Sequence, residues 1–227
     1  MASVSGSVLG NLSGRLGNLS ARTVNGRTIL AARPSSFNVS QEPSVVEVRK
    51  KFGITMNFAK AVNSIAALSA VWEKVKDSGR SVMNTIFRDN FQYVSAERPT
   101  ENNIITPDGF NLPVQSASVD ADTITAQITT LNNEAVISPA EVDLAVSAVV
   151  CFYDPKSADD DPFKIIALDK DEAGFNFGQT YNLSLALNAL QTNIASKYNN
   201  SILYLAVATK DAAGKVVQYS STFTKLN

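Results

Sequence analysis

LGNLSGRLGNLSARTVNGRTILAARP, residues 9–34, divides this chain into an arm and a body, and the rest of the sequence is read outward from it. A seven-residue unit runs twice in tandem, over residues 9–15 and 16–22. A turn dipeptide, Asn25-Gly26, then sits between two β-prone runs, residues 19–24 and 27–32, and Arg33-Pro34 closes the stretch. Both turn residues tolerate positive φ, which a two-residue type I′ turn requires, so the pattern predicts a β-hairpin. Residues 1–40 hold four arginines, five glycines, no lysine and no acidic residue. Such a segment cannot build its own core. It either stays disordered or lies on something else, because a two-stranded hairpin is marginal in water. Its candidate contact residues are Arg15, Arg22, Asn25, Gly26, Arg27 and Arg33.

Charge is divided along the chain in the same way. The whole carries −1, yet residues 1–40 carry +4, residues 41–98 carry +3 and residues 99–227 carry −8. The basic half is too sparse for phosphate tracking, which needs a denser stripe, so nucleic acid is not the expected partner. Basic arms packing on acidic bodies, head to tail, fit the division better. At 227 residues, with 44% hydrophobic and 18% charged, the chain suits one large domain or two small ones.

Chemistry is poorly provided for. There is no histidine, which removes the commonest general base and metal ligand together. The single cysteine, Cys151, lies in the apolar run 148–153 and reads as core. The N-terminus has no charged and apolar leader, and no stretch approaches the ~20 apolar residues that span a bilayer, so neither secretion nor a membrane is expected. Asp169-Lys170-Asp171-Glu172-Ala173-Gly174 begins like a calcium loop, but Ala173 and Thr180 stand where ligands belong. Asp159-Asp160-Asp161 reads as a solvated loop. No phosphate loop, nucleophile elbow or paired carboxylates appear. The expectation is no catalysis, no metal and no cofactor.

Residues 41–98 read as helical. Ser44-Val45-Val46-Glu47 has the capping-box form, with Ser40 as the other candidate cap. Val45, Val48, Phe52, Met56, Ala59, Val62 and Ala66 recur at three- and four-residue steps as one apolar stripe. A second piece over 68–75 follows a break, and Val82, Met83, Ile86, Phe87 and Phe91 mark a third helix. Residues 97–110 are polar with Pro99, Pro107 and Asp108-Gly109, and read as a connection. Seven strand-like runs follow, over 112–119, 123–130, 142–153, 164–168, 181–187, 201–209 and 215–224, with a helical turn over 189–198. The expected fold is α+β: an extended N-terminal hairpin arm (1–40), a short helical region (41–98) and a C-terminal immunoglobulin-like antiparallel β-sandwich (99–227).

The order of features resembles a domain-of-unknown-function family common in Bacteroidota and their phages. The residues that carry the resemblance are Gly14-Arg15-Leu16-Gly17-Asn18, Asn25-Gly26-Arg27-Thr28, Ala32-Arg33-Pro34, Arg49-Lys50-Lys51-Phe52 and the closing hairpin, residues 202–207 with Ala213-Gly214-Lys215. The family usually has Lys at the place of Arg15 and an aromatic at the place of Asn25. Its members have no assigned activity, so the resemblance carries no catalytic residue. Together these features lead to the expectation of a structural subunit of a large assembly, a phage virion protein (capsid decoration, head–tail or tail component) assembled in the bacterial cytoplasm. Its partners are then other virion subunits and copies of itself. The rival expectation is a carbohydrate- or cell-surface-binding sandwich, for which Phe163, Phe175 and Phe177 are the loop aromatics.

Overall fold

The computed structural model describes residues 13–24, 26–33, 36 and 39–227. The chain forms two compact units, Met1–Val45 and Val46–Asn227. The first contains a three-stranded antiparallel sheet of β1 (Gly14–Leu16), β2 (Leu19–Val24) and β3 (Arg27–Ala32). The second is the body, and its α+β architecture with an antiparallel sandwich matches the expectation.

Two sheets make the sandwich. One contains β4 (Val114–Val119), β5 (Thr123–Ile128) and β8 (Tyr181–Ala186), in the order β4-β5-β8. The other has five strands: β6 (Glu141–Pro155), β7 (Phe163–Glu172), β9 (Tyr198–Asp211), β10 (Val216–Tyr219) and β11 (Phe223–Leu226). Their order is β10-β9-β6-β7, with β11 also on β9. β5 alternates as its sequence alternates: Ile124, Ala126 and Ile128 are buried, while the residues between them are half-exposed. These side chains meet Leu183 and Leu185 of β8, and Leu144, Val146, Val150, Leu203, Leu205 and Val207 of the larger sheet, in one apolar cluster.

The helices form a third layer on the other face of the larger sheet. They are α1 (Pro43–Ser64), α2 (Ala66–Val75) and α3 (Val82–Phe91). Phe58, Val62, Leu68, Val71, Trp72 and Ile86 pack with Ala145, Val149, Cys151, Ile202, Tyr204 and Ala206. The middle strands β6 and β9 are therefore covered on both faces. This is why residues 144–152 and 201–209 read as nearly unbroken apolar runs, where a strand with one wet face would alternate. The immunoglobulin-like reading has two layers and this body has three; the unbroken runs were the signal for the third.

Several local expectations change. α1 starts at Pro43, the favoured first helical position for proline, so Ser44 and Glu47 lie inside the first turn and form no capping box at Ser44. The core-facing residues of α1 are Ile54, Thr55, Phe58, Ala59 and Val62. Of the expected stripe, Val45, Val48 and Phe52 are 41%, 55% and 54% exposed, because only the later turns of the helix lie over the sheet. α1 and α2 meet at a bend of 106°. Ile65 takes extended backbone there (φ −85°, ψ 116°) and buries its side chain in the helix-side cluster. α4 (Ala189–Ser196) is capped by Asn188 and Gln191, which bond each other's backbone N–H groups reciprocally.

The stretch 97–110 is fastened down. Trp72 Nε1 donates to Ile105 O (2.8 Å), and Tyr204 Oη donates to Thr100 O (2.6 Å). The buried Asn90 side chain donates to Ile104 O and accepts from Ile104 N, at 3.0 and 2.8 Å. Gly109 is required by close approach: a Cβ there would fall 2.4 Å from Tyr219 O. The last predicted strand is split into β10 and β11 by Ser220, whose Oγ accepts from Val207 N (3.0 Å) and takes the place of a backbone partner. Helices, connection and sheets thus share the packing of residues 46–227, and no division of packing falls near residue 98.

The third layer is testable at Ala206, which is fully buried against the helices but would point to solvent in a two-layer sandwich. Ala206→Asp places an unpaired charge in that cluster. The expected loss is about 4 kcal/mol or more, enough to abolish cooperative unfolding in a thermal melt. A melt within a few degrees of wild type would contradict the helix cover.

Candidate docking surface of the arm

The arm sheet is a meander of two tight hairpins. Val24 pairs with Arg27 across the expected turn, and Gly26 has φ +74°. Asn25 and Pro34 lie outside the described residues. The other hairpin was not expected. Leu16 pairs with Leu19 around Gly17-Asn18, with Gly17 at φ +58°. Its signal is a Gly-Asn pair between β-compatible residues, which falls inside the second copy of the seven-residue repeat. Most of the first copy of that repeat lies outside the described residues, and the second copy contains the turn.

Register decides what each face presents. Side chains alternate along a strand, and directly paired residues share a face. Ala21 opposes Leu30, Thr23 opposes Thr28 and Leu19 opposes Ala32, so one face carries leucine, alanine and threonine. The Thr23 and Thr28 hydroxyls lie 3.3 Å apart across it. Arg15 opposes Ser20, Arg22 opposes Ile29 and Arg27 opposes Val24, so three arginines share the other face. Each stands two residues along from the partner of the last, which sets them on a diagonal across β1, β2 and β3. Diagonal neighbours in a sheet are roughly 7–8 Å apart. Arg33 continues β3 past its end, its N–H donating to Asn18 O (2.8 Å).

All four arginines are exposed, and among the described residues none makes an ion pair. The first acidic residue of the chain is Glu42. Three like charges in line repel one another and gain nothing from their own sheet. The arrangement is suited to an anionic counter-surface, which would turn mutual repulsion into charge-assisted hydrogen bonds.

The acidic stretches have local partners instead. Asp169–Glu172 is the end of β7, so its side chains alternate between faces and cannot curl around an ion. Asp171 pairs with Lys210 (2.7 Å) and Glu172 with Lys170 (2.8 Å). The Lys170 ammonium and the Tyr181 hydroxyl, which donates to Glu172 Oε1 at 2.5 Å, hold the Glu172 carboxyl below the usual carboxylate range. Asp160 pairs with Lys197 and Asp161 with Lys164, and Lys164 lowers the Asp161 pKa. Burial pushes the Cys151 thiol up to about 12, so it is no thiolate at neutral pH. Phe175 packs edge-on against Phe177 and Tyr181 over the sandwich core and offers no flat platform. Phe163 lines an open groove of about 740 Å³ beside α1, with Arg49, Lys50 and Tyr153. The Arg98 guanidinium, also in that wall, lies 3.9 Å from the Tyr153 ring centroid.

No family model matches the chain, and no curated protein matches it. Among solved structures, it is similar to β-glucosidase 3B from Thermotoga neapolitana in complex with glycerol, at 13% identity and a TM-score of 0.25. That match covers 63% of this chain and 19% of the enzyme. Two β-glucosidase structures from Kluyveromyces marxianus, one in complex with glucose, match at 13% and 11% identity with TM-scores of 0.18 and 0.17. Each covers 66% of this chain and 19% of the enzyme. The chain thus spans about a fifth of these enzymes' length, and superpositions this loose carry no argument about fold or activity.

Two outcomes follow from this geometry. Gly26→Val sets a β-branched residue at positive φ, at a cost of about 1–2 kcal/mol. A marginal sheet does not survive that, so the variant should lose the arm's amide protection in hydrogen exchange while the thermal midpoint of the body stays at the wild-type value. For Glu172 the folded pKa lies below the unfolded one. Its stabilising contribution is therefore present above the ordinary carboxylate pKa and is lost as pH falls through the folded value. Melts of wild type and Glu172→Gln should differ at pH 7 and converge in acid; a constant difference would deny the charged pair its role.

Proposed function

We propose that this protein is a non-enzymatic structural subunit of a large assembly, most closely a phage virion component, which docks on neighbouring subunits through its N-terminal arm. The observation that carries the reading is the diagonal of Arg15, Arg22 and Arg27 on one face of a sheet that, among the described residues, has no second layer of strands. The division of charge supports it: an arm of +4 without a single acidic residue belongs to a chain whose residues 99–227 carry −8. The phage setting is supported by the resemblance of the Gly-Arg-Leu-Gly-Asn and Asn-Gly-Arg-Thr motifs to phage-borne relatives. Three charges in line are few for a nucleic-acid track, where each neutralised phosphate adds to a steep salt dependence. A carboxylate-bearing protein surface matches them better.

Salt tests the reading directly. Contacts between exposed charges are screened beyond roughly 8–10 Å at physiological ionic strength and beyond about 3 Å at molar salt. Binding of the arm to its assembly, followed by sedimentation, should therefore weaken by at least tenfold between low and molar salt. Association that holds or strengthens over that range would assign the contact to apolar surface and remove the arginines from it.

A further inference from the structure

We infer that the receptor for the arm is the free edge of β8 on a second copy of this chain, and that β3 of the first copy adds to it as a parallel strand. This rests on the arm-docking reading above only in that the arm docks: β8 carries no charge, so the main chain of β3 makes this contact and the arginine diagonal stays free for the rest of the assembly. The argument begins with how the sandwich treats its edges. Exposed edges template unwanted pairing, and proteins blunt them with charge, bulges or shortness. β7 carries five charged residues in ten: Lys164, Asp169, Lys170, Asp171 and Glu172. β4 has a register shift between Val114 and Ser116. β10 and β11 are four residues each. β8, Tyr-Asn-Leu-Ser-Leu-Ala, has none of these devices: six residues, no charge, no proline, and unbroken register against β5.

The backbone direction on each edge can be assigned. Leu187 N donates to Asp122 O (2.7 Å), so bonding toward β5 alternates back through Leu185 and Leu183. The N–H and C=O groups of Asn182, Ser184 and Ala186 therefore point away from β5, and no described residue bonds them. In the arm, Arg33 N donates to Asn18 O, so Ala31, Ile29 and Arg27 bond toward β2, while Thr28, Leu30 and Ala32 present the edge of β3, which no described residue pairs. The two open edges are equal in length.

Parity then selects the orientation. In antiparallel pairing the outward residues of both strands stand opposite one another, so Leu30 would join Ser184 on the solvent face. Arg27 and Ile29 would then be turned to the core side with Leu183 and Leu185. In parallel pairing an outward residue stands opposite an inward one. Thr28, Leu30 and Ala32 then extend the buried row Leu183, Leu185, Leu187, and the arginine face joins Asn182 and Ser184 in water. Burying a guanidinium costs far more than the slight weakness of parallel pairing. Main-chain bonds supply the affinity, and alternate side chains supply the specificity.

Two full-length variants test this against wild type by sedimentation and cross-linking. Ser184→Pro removes an outward N–H and no bond to β5, a position where an edge strand accepts proline. It should melt as wild type and remain monomeric. Ala31→Cys with Ala186→Cys sets two exposed alanines opposite each other in the parallel register, and oxidation should give interchain disulfides while Cys151 stays buried. If Ser184→Pro fails to fold, the cross-link decides alone. Association of folded Ser184→Pro at the wild-type level, or no cross-link, overturns β8 as receptor; loss of association in Gly26→Val would then leave the arm-docking reading standing. Wild-type association in both Gly26→Val and Ser184→Pro overturns the two together, as does a wild-type chain that never associates.

Discussion

The ladder between β6 and β9 supports everything else in the body. Thirteen register positions, from Glu141 opposite Asp211 to Pro155 opposite Tyr198, join two strands of fifteen and fourteen residues. Because both strands are covered on both faces, their backbone groups have no access to water and must satisfy one another. The constraint reaches the side chains too. The buried polar residues of the ladder are Glu141, Ser147, Ser201 and Thr209, and Thr209 gives its hydroxyl to the carboxylate of Glu141. That carboxylate also accepts from Ser138 N (2.8 Å) and from the Gln218 side chain (2.9 Å), so the end of the ladder, the 138–141 turn and β10 are locked at one point.

From this pair the two neighbouring layers take opposite characters. The β4-β5-β8 sheet has one wet face, and its strands alternate. The helices meet the other face with large side chains, Phe58, Trp72 and Ile86, and Phe58 sits edge-on to Tyr204 with ring centroids 5.2 Å apart. Lys74 of α2 gives its ammonium to the carbonyls of Val216 and Val217, a polar clasp at the rim of an apolar contact. The connection 97–110 is a structural spacer between the layers, held by Trp72, Asn90 and Tyr204.

What was legible in the sequence follows from which signals are local. β5 and the Asn25-Gly26 hairpin are local, and their positions were read to within a residue or two. The break before the second helix was also expected, and it falls at Ile65. The helix cover was not read, because a strand buried on two faces and a strand in a sandwich core both appear as apolar runs, and only length separates them. The stripe on α1 misled for a related reason: periodicity marks an apolar face but not how far it is covered, and Val48 stays exposed while Phe52 is half-covered, its ring against Phe87. For the arm, sequence named the arginines; register alone showed that Arg15, Arg22 and Arg27 share a face, since their spacing of seven and five residues crosses two turns.

The fastening of helices onto β9 sets an order on biosynthesis. The apolar faces of α2 and α3 are complete by residue 91, but the sheet they cover lacks its middle strand until residues 198–211 have left the ribosome. At roughly 5–20 residues per second, that interval of about a hundred residues lasts on the order of ten seconds. During it the helices lack Ile202, Tyr204 and Ala206 of β9, against which Trp72 and Leu68 are buried. A nascent chain arrested before Tyr198 should therefore bind a hydrophobic dye or a chaperone, and one extended past Asp211 should release it.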